Sequence, residues 1–222
     1  MGSVTQLWDF KQQEVPTNYS LATALQHVNY RNVTIEDSVV TLHDPLACID
    51  LGGIAKGYIA DSLLTLFRKR GIEHALVNLG GNVAVMGGKP DGSPWRVGIR
   101  RPLPSSALPL LDSFATVTMR DGSVVTSGIY ERAFEKDGAL YHHILDPRTG
   151  LPAVTDLLSA TVISSASLDG DGFTTALVIM GVDQALDFVE KNPSLEAVLV
   201  TNKGEVLATS GIGNDIPFEL VG

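Results

Sequence analysis

The spacing of apolar residues predicts one long helix near the end of the first third of the chain. Between positions 54 and 70, apolar side chains recur at steps of three and four residues, which is the period of one helix face. Three basic residues end this run and Gly71 follows it, a common arrangement at a helix C-terminus. A shorter helix is predicted after Pro16, where Thr17 supplies a capping hydroxyl. Further helices are predicted at about 171–180 and 183–190.

Short alternating runs predict β-strands over much of the remaining chain. Three pairs of runs flank Asp37-Ser38, Asp121-Gly122 and Asp137-Gly138, and each pair predicts a hairpin. Further strands are predicted at 47–51, 74–79, 83–86, 95–99, 159–164, 197–200 and 206–208. Because strands and a few helices mix without strict β-α-β alternation, the expected fold class is α+β, with largely antiparallel sheets and packed helices. Positions 102–109 are predicted to form a loop.

Composition and charge exclude several classes of protein. The formal net charge of −9 over 222 residues argues against a partner such as nucleic acid, although one local basic pocket for a small anion remains compatible with it. Cys48 is the only cysteine of the sequence, which excludes a disulfide scaffold, and we expect it to be buried in a strand. No apolar run approaches the roughly 20 residues of a membrane-spanning helix, and the first residues do not resemble a secretory signal.

A glycine pair leads directly into the predicted long helix. Gly52 and Gly53 follow a predicted strand, and Lys56 lies in the first turn of the helix. Free backbone N–H groups, the positive end of the helix dipole and an ammonium group would converge there, which predicts an anion site. The spacing is not that of a Walker A loop. The alternative is that the glycines only allow close packing of strand and helix.

A second group of reactive side chains lies in residues 141–150. If 141–145 form a strand, His142 and His143 face opposite sides, which disfavours a paired-histidine metal site. His143 would then lie close to the turn from which Asp146 emerges. Arg148 and Thr149 follow in the same turn. The alternative is a structural histidine beside an Asp-Pro turn.

The segment from Asp169 to Ala176 combines a carboxylate and a hydroxyl at helical spacing. Asp171 and Thr175 are four residues apart and share a helix face, which suits a hard cation such as Mg²⁺. The alternative is that Asp171 is an N-cap and Thr175 an ordinary helix residue. Ser127 and Tyr130, at a predicted strand end, complete the candidates. Contact with a phosphate or a ring is expected there, because the Gly-x-Ser-x-Gly elbow of a nucleophilic serine is absent.

Five stretches in this order resemble the ApbE family of bacterial FAD:protein FMN transferases. They are 50–57 (DLGGIAKG), 77–82 (VNLGGN), 95–99 (WRVGI), 126–131 (TSGIYE) and 142–150 (HHILDPRTG). The resemblance covers essentially the whole chain. Family members usually carry a further N-terminal segment, often beginning with a lipoprotein signal. We therefore expect residues 1–222 to form a single flavin transferase domain that lacks this segment.

The resemblance implies a magnesium-dependent transfer of the FMN moiety of FAD onto a Ser or Thr hydroxyl of an acceptor protein, with release of AMP. Asp171, Thr175 and the Gly53 carbonyl would hold the metal. His143, beside Asp146, is the candidate general base. The expected FAD contacts come from phosphate- and ring-binding side chains and from the glycine pair: Gly52, Gly53, Lys56, Ser127, Tyr130, Arg148 and Thr149.

Two other functions fit the same residues. Water could replace the acceptor hydroxyl, which would make the protein an FAD pyrophosphatase that yields FMN and AMP. Alternatively, the chain could bind flavin without catalysis. The resemblance suggests work outside the cytoplasm, although the sequence shows no export signal.

Overall fold

The computed structural model describes residues 1–102 and 113–221. Their contacts divide the chain into two compact units: residues 1–51 with 131–154, and residues 52–130 with 155–222. The predicted loop at 102–109 lies, apart from Pro102, outside the described residues.

The smaller unit contains two short helices, two hairpins and an aromatic cluster. Its elements are α1 (Gly2–Thr5), α2 (Asn18–Leu25), β1 (Val33–Glu36), β2 (Val39–Leu42), β8 (Ala133–Lys136) and β9 (Ala139–His142). Strand β1 pairs with β2 and β8 with β9, both antiparallel. The rings of Trp8, Phe10, Phe134 and Tyr141 pack together. Trp8 Nε1 also donates a hydrogen bond of 3.0 Å to the Gly150 carbonyl, which ties the loop after β9 to this cluster.

The larger unit is built on a six-stranded antiparallel sheet in the order β12-β11-β10-β7-β4-β3. Its strands are β3 (Ala75–Asn78), β4 (Asn82–Met86), β7 (Gly122–Gly128), β10 (Leu157–Ser164), β11 (Leu195–Thr201) and β12 (Val206–Ala208). The helices α3 (Ala55–Lys69), α4 (Ser167–Met180) and α5 (Val182–Glu190) pack against this sheet. A three-stranded sheet contains β5 (Trp95–Arg100), β6 (Ser113–Met119) and β13 (Phe218–Leu220). Apolar side chains of both sheets form one core cluster, so the two sheets pack against each other.

Most local predictions are confirmed, and so is the α+β class with antiparallel sheets. Thr17 caps α2 by accepting a hydrogen bond from Ser20 N, and α3 ends before Gly71, which has a positive φ. In both confirmed hairpins the two turn residues adopt the left-handed conformation: Asp37 and Ser38, and Asp137 and Gly138.

Three predictions are wrong. Strand β6 ends before Asp121 and β7 begins at Gly122, but the two strands join different sheets. Strand β7 lies between β4 and β10, and β6 lies between β5 and β13. Residues 47–51 form no strand, and Cys48 is exposed, its backbone bonded to Gly2 and Ser3. Helix α4 begins at Ser167, four residues before the predicted start, because the Asp61 carboxylate of α3 binds its first two N–H groups.

Two helical glycines should respond in opposite ways to alanine. At Gly172 an added Cβ would meet Ile54 at 3.5 Å, an ordinary contact. We therefore expect Gly172→Ala to raise the free energy of unfolding by about 0.5–1 kcal/mol. At Gly57 the added Cβ would lie 2.4 Å from the Ser167 carbonyl oxygen, so Gly57→Ala should lower the free energy of unfolding by about 1–3 kcal/mol. Urea unfolding of both variants checks this, and a shift of the same sign in both would contradict the packing described for α3 and α4.

Candidate functional site

The turn before α3 has the open backbone that the sequence predicts for an anion site. Gly52 and Gly53 are exposed, and a Cβ added to Gly53 would meet no atom within 4 Å, so a ligand can approach the chain closely there. Within the described residues, the N–H groups of Ala55 and Lys56 in the first helical turn have no hydrogen-bond partner. Those two groups and the helix dipole favour an anion at this end of α3.

Lys56 joins this turn to a second glycine turn. Its Nζ donates a hydrogen bond of 3.2 Å to the carbonyl of Gly80. Gly80 and Gly81 connect β3 to β4, both with φ above +70°, a conformation that favours glycine. The Lys56 ammonium is therefore held between the two turns, and among residues 1–102 and 113–221 only Gly80 accepts from it, which leaves N–H donors for a ligand.

Asp171 is buried at the crossing of α3 and α4. The residue is only 4% exposed, and its Oδ2 accepts a hydrogen bond of 2.9 Å from the backbone N–H of Gly57. Asp171 therefore caps the neighbouring helix rather than its own, whose N-cap is Ala166. The positive end of the α3 dipole stabilises the carboxylate charge in this position.

The residues predicted to hold a metal have the oxygen donors that Mg²⁺ prefers. Within the described ranges, neither Asp171 Oδ1 nor Thr175 Oγ1 has a hydrogen-bond partner, so both remain available to a cation. The turn containing Gly53 runs close to Asp171, because its next residue, Ile54, lies 3.5 Å from a Cβ added to Gly172. One carboxylate with hydroxyl and carbonyl oxygens suits Mg²⁺, which keeps several waters. Across residues 1–102 and 113–221, no three His, Cys, Asp or Glu side chains come together as a metal cluster.

Ser127 and Tyr130 make contacts that sequence reasoning did not foresee. Ser127 Oγ donates a hydrogen bond of 2.8 Å to Thr174 Oγ1, and Thr174 in turn donates to the backbone carbonyl of Asp171. The Tyr130 ring lies over Gly128, where an added Cβ would come within 2.3 Å of a ring carbon. Ser127 thus supports the helix that carries Asp171, and one part of the Tyr130 ring is covered by the chain.

In the smaller unit, Asp146 and Arg148 form a tight ion pair. Arg148 Nε and Nη2 donate to the Asp146 carboxylate at 2.7–3.1 Å, and the Arg148 backbone N–H donates at 2.8 Å. These hydrogen bonds hold the pKa of Asp146 below its usual range. Thr149 Oγ1 accepts from Leu151 N, so the residues of this turn are largely bonded to one another. The exposed Arg148 guanidinium presents its remaining N–H groups to solvent.

The two adjacent histidines have different environments. His142 ends β9 and is buried, whereas His143 follows the strand and is half-buried, in line with the expected opposite faces. The strand is shorter than predicted, because after His142 the chain turns toward the loop at 146–150. The backbone N–H of His143 donates to the Arg132 carbonyl at 3.0 Å, which fixes the chain at this point.

A model of the ApbE family matches residues 1–199. The chain belongs to the ApbE family. Its curated relatives include the FAD:protein FMN transferase of Klebsiella pneumoniae (strain 342), 38% identical over 95% of this chain and 65% of that protein. The FAD:protein FMN transferase of Treponema pallidum (strain Nichols) is 36% identical over 96% of this chain and 62% of that protein. The chain thus spans slightly less than two thirds of the length of these relatives.

Solved ApbE structures share the fold. The ApbE protein from Thermotoga maritima aligns with a TM-score of 0.82 and 32% identity, over 94% of this chain and 68% of that one. The flavin transferase ApbE from Vibrio cholerae aligns with a TM-score of 0.79 and 28% identity, over 94% of this chain and 67% of that one.

The structure of this ApbE family member brings together part of the predicted site. In the larger unit, Lys56 and Asp171 lie on two crossing helices, and Ser127 supports the second helix. In the smaller unit, Asp146, Arg148 and Thr149 share one turn. A surface cavity of about 370 Å³ in the larger unit is lined by Asp61, Arg68 and Asp121 among others, but by none of the predicted site residues.

Sequence reasoning missed Asp61 and Ser167, which join the two helices, and Asn82, which joins Ser167 to β4. Asp61 lies four residues after Gly57, so helical spacing alone could have placed both on one face of α3. The partners of these residues are distant in sequence, and no local signal identifies them. In residues 1–102 and 113–221, none of the helices is long and apolar enough to cross a membrane.

Burial of His142 should make the smaller unit sensitive to acid. Burial lowers the pKa of His142 from its ordinary 6.5, so below that pH the unfolded chain binds a proton that the folded chain does not. The free energy of unfolding should therefore fall as the pH decreases below about 6.5. His142→Phe should make this decrease smaller.

Urea unfolding between pH 7.5 and pH 5 measures the effect. A Trp95→Phe background leaves Trp8, in the smaller unit, as the single fluorescent tryptophan. An identical pH dependence with and without His142 would show that this imidazole titrates alike in the folded and unfolded chains.

Proposed function

We propose that this chain transfers the FMN moiety of FAD onto a Ser or Thr hydroxyl of an acceptor protein, with Mg²⁺ as cofactor and AMP as the leaving group. Membership of the ApbE family and relatives named FAD:protein FMN transferases support this function. The observation that carries it is the environment of Asp171. One carboxylate oxygen is held by a helix N-terminus, and the other is available beside a glycine turn that suits an anion.

The reaction exchanges the phosphoanhydride bond of FAD for a phosphate ester bond to the acceptor. The acceptor hydroxyl oxygen forms a bond to the phosphorus of the FMN phosphate, and the bond from that phosphorus to the bridging pyrophosphate oxygen breaks. AMP leaves with the bridging oxygen, and the hydroxyl proton passes to a base. Positioning and neutralisation of negative charge are the main tasks of the protein in such a transfer.

Residues of the larger unit would bind the pyrophosphate. The free N–H groups of Ala55 and Lys56 and the Lys56 ammonium would donate hydrogen bonds to phosphate oxygens. Asp171 Oδ1, Thr175 Oγ1 and the Gly53 carbonyl would hold Mg²⁺. When bound, the ion supplies positive charge that neutralises the pyrophosphate oxygens.

Residues of the smaller unit keep the roles that the resemblance implies. We propose His143 as the base that accepts the acceptor hydroxyl proton, because an imidazole titrates near neutral pH. Arg148 carries N–H groups that suit a phosphate or an acceptor carboxylate, and Asp146 orients it through two hydrogen-bonded nitrogens. Thr149 would contribute a further contact to FAD, as would Tyr130 of the larger unit.

Incubation with FAD, Mg²⁺ and candidate acceptor proteins, followed by intact-mass measurement and nucleotide chromatography, tests the function. We expect a covalent FMN adduct on the acceptor and one AMP released per adduct. Free FMN and AMP without an adduct would instead identify an FAD pyrophosphatase. Unchanged FAD that co-purifies with the protein would identify a binding protein without catalysis.

Replacement of Asp171 by Asn tests the metal assignment. The Asn carbonyl can still accept from Gly57 N, so the fold should persist, but the amide N–H₂ then faces the cation. We expect a loss of activity of more than about 100-fold, because even mutation of a residue that only orients a metal ligand lowers metal affinity or activity by about 10–100-fold. Asp169→Asn, on the exposed side of the same helix, is the matched control and should keep full activity. Equal turnover in the two variants would overturn the assignment.

Replacement of His143 by Ala separates chemistry from binding. We expect the transfer rate to fall by about 10²–10⁴-fold, as for loss of a general base, while the affinity for FAD is retained. Single-turnover rates and FAD fluorescence titration measure the two quantities. A large loss of FAD affinity with an unchanged rate at saturation would assign His143 to binding instead.

A further inference from the structure

Ser167, the first residue of α4, is bonded to two other elements of the larger unit. It is fully buried. Its backbone N–H donates to Asp61 Oδ1 on α3 at 2.9 Å, and its hydroxyl donates to Asn82 Oδ1 at the start of β4 at 2.7 Å. The next N–H, of Leu168, donates to Asp61 Oδ2 at 2.9 Å. One carboxylate therefore binds the first two N–H groups of α4, and one amide fixes its first side chain.

The two helices cap each other reciprocally. Asp61 of α3 accepts from the first turn of α4, and Asp171 of α4 accepts from Gly57 in the first turn of α3. In each helix the carboxylate lies four residues, about one turn, after the residue whose N–H is capped. The closeness of the crossing, with Gly57 against the Ser167 carbonyl, makes both hydrogen bonds possible.

This arrangement fixes the position of Asp171 through the first turn of α4. Since Ser167 and Asp171 are one turn apart on the same rigid helix, any shift of Ser167 moves the carboxylate with it. We propose that Asp61 and Asn82 are positioning residues that, through Ser167, hold Asp171 in the place where it binds a divalent cation. This inference rests on the proposed function of Asp171.

Asn82 carries a buried polar group that does not favour stability, which supports a role in positioning. Its side chain is fully buried, and within the described residues its Nδ2 has no hydrogen-bond partner. An unsatisfied buried donor is unfavourable, so an apolar residue of similar size would serve packing better. Unlike an apolar residue, Asn82 provides an acceptor for the Ser167 hydroxyl.

Asp61→Asn is the first test, with binding of Mn²⁺ as the readout. The Asn carbonyl can accept one of the two N–H groups, but its amide nitrogen would face the other donor, so the first turn of α4 should shift. Titration of Mn²⁺ followed by electron paramagnetic resonance, with FAD at a fixed concentration, measures the affinity independently of turnover. We expect the dissociation constant for Mn²⁺ to rise by about 10–100-fold, the usual effect of a residue that orients a metal ligand.

Asp156→Asn is the matched control. Asp156 Oδ1 caps α5 by accepting from Val182 N at 2.9 Å, so this variant also weakens a helix cap made by a distant carboxylate. It should lower the free energy of unfolding without changing the affinity for Mn²⁺. An equal loss of affinity in the Asp61 and Asp156 variants would show a general effect of destabilisation and would overturn the inference.

Asn82→Leu keeps the inference testable if Asp61→Asn does not fold. This change removes the unsatisfied Asn82 Nδ2 but leaves the buried Ser167 hydroxyl without its acceptor, so the two effects on stability should largely offset each other. Weaker Mn²⁺ binding with a near-normal unfolding curve supports the positioning role. If Asn82→Leu, and Asp61→Asn where it folds, bind Mn²⁺ as tightly as the wild type, the positioning role is overturned. The metal site itself would then still stand. Failure of the wild-type chain to bind Mn²⁺ would overturn the metal site on which the positioning role rests.

Discussion

The close crossing of α3 and α4 at Gly57 is the constraint on which the larger unit depends. A side chain at this position would collide with the backbone of Ser167, so only glycine lets the two helices approach closely enough for each to cap the other. A helix cap contributes about 0.5–2 kcal/mol, and here two carboxylates provide caps across the same contact. Burial of Asp171 would be unfavourable without such a partner, because a buried carboxylate needs hydrogen bonds or opposite charge.

The chemistry of the site follows from the same contact. Because Gly57 N donates to one oxygen of Asp171, the carboxylate is fixed in orientation, and under the proposed function its second oxygen would bind the cation. The first turn of α3 keeps two unbonded N–H groups within the described chain, and Lys56 adds an ammonium held near Gly80. Under the proposed function, a protein with a net charge of −9 would bind a pyrophosphate through one compact site made of backbone dipoles, a lysine and a metal ion. No basic surface is needed.

Local features of the sequence predicted much of the fold. The apolar period and the final glycine predicted α3, Thr17 predicted the start of α2, and Asp137-Gly138 predicted a hairpin, because each signal acts within a few residues. The errors arose where contacts with residues distant in sequence determine the pairing of a strand or the start of a helix. The Asp121-Gly122 turn connects strands that pair in different sheets, and the start of α4 depends on Asp61, 106 residues away from Ser167. In the site, the spacing of Asp171 and Thr175 indicated a cation site, but the Gly57 hydrogen bond that orients Asp171 spans 114 residues and has no local signature.

We propose that the crossing of α3 and α4 presents Asp171 to a divalent cation, and anomalous scattering from a bound ion tests this proposal. Crystals of the protein grown with FAD and Mn²⁺ would locate the ion by its anomalous signal. We expect a peak at coordination distance from Asp171 Oδ1, with Thr175 Oγ1 and the Gly53 carbonyl as further ligands and with Asp171 Oδ2 still bonded to Gly57 N. A bound ion elsewhere in the larger unit, with Asp171 making no contact to it, would overturn the proposed metal site.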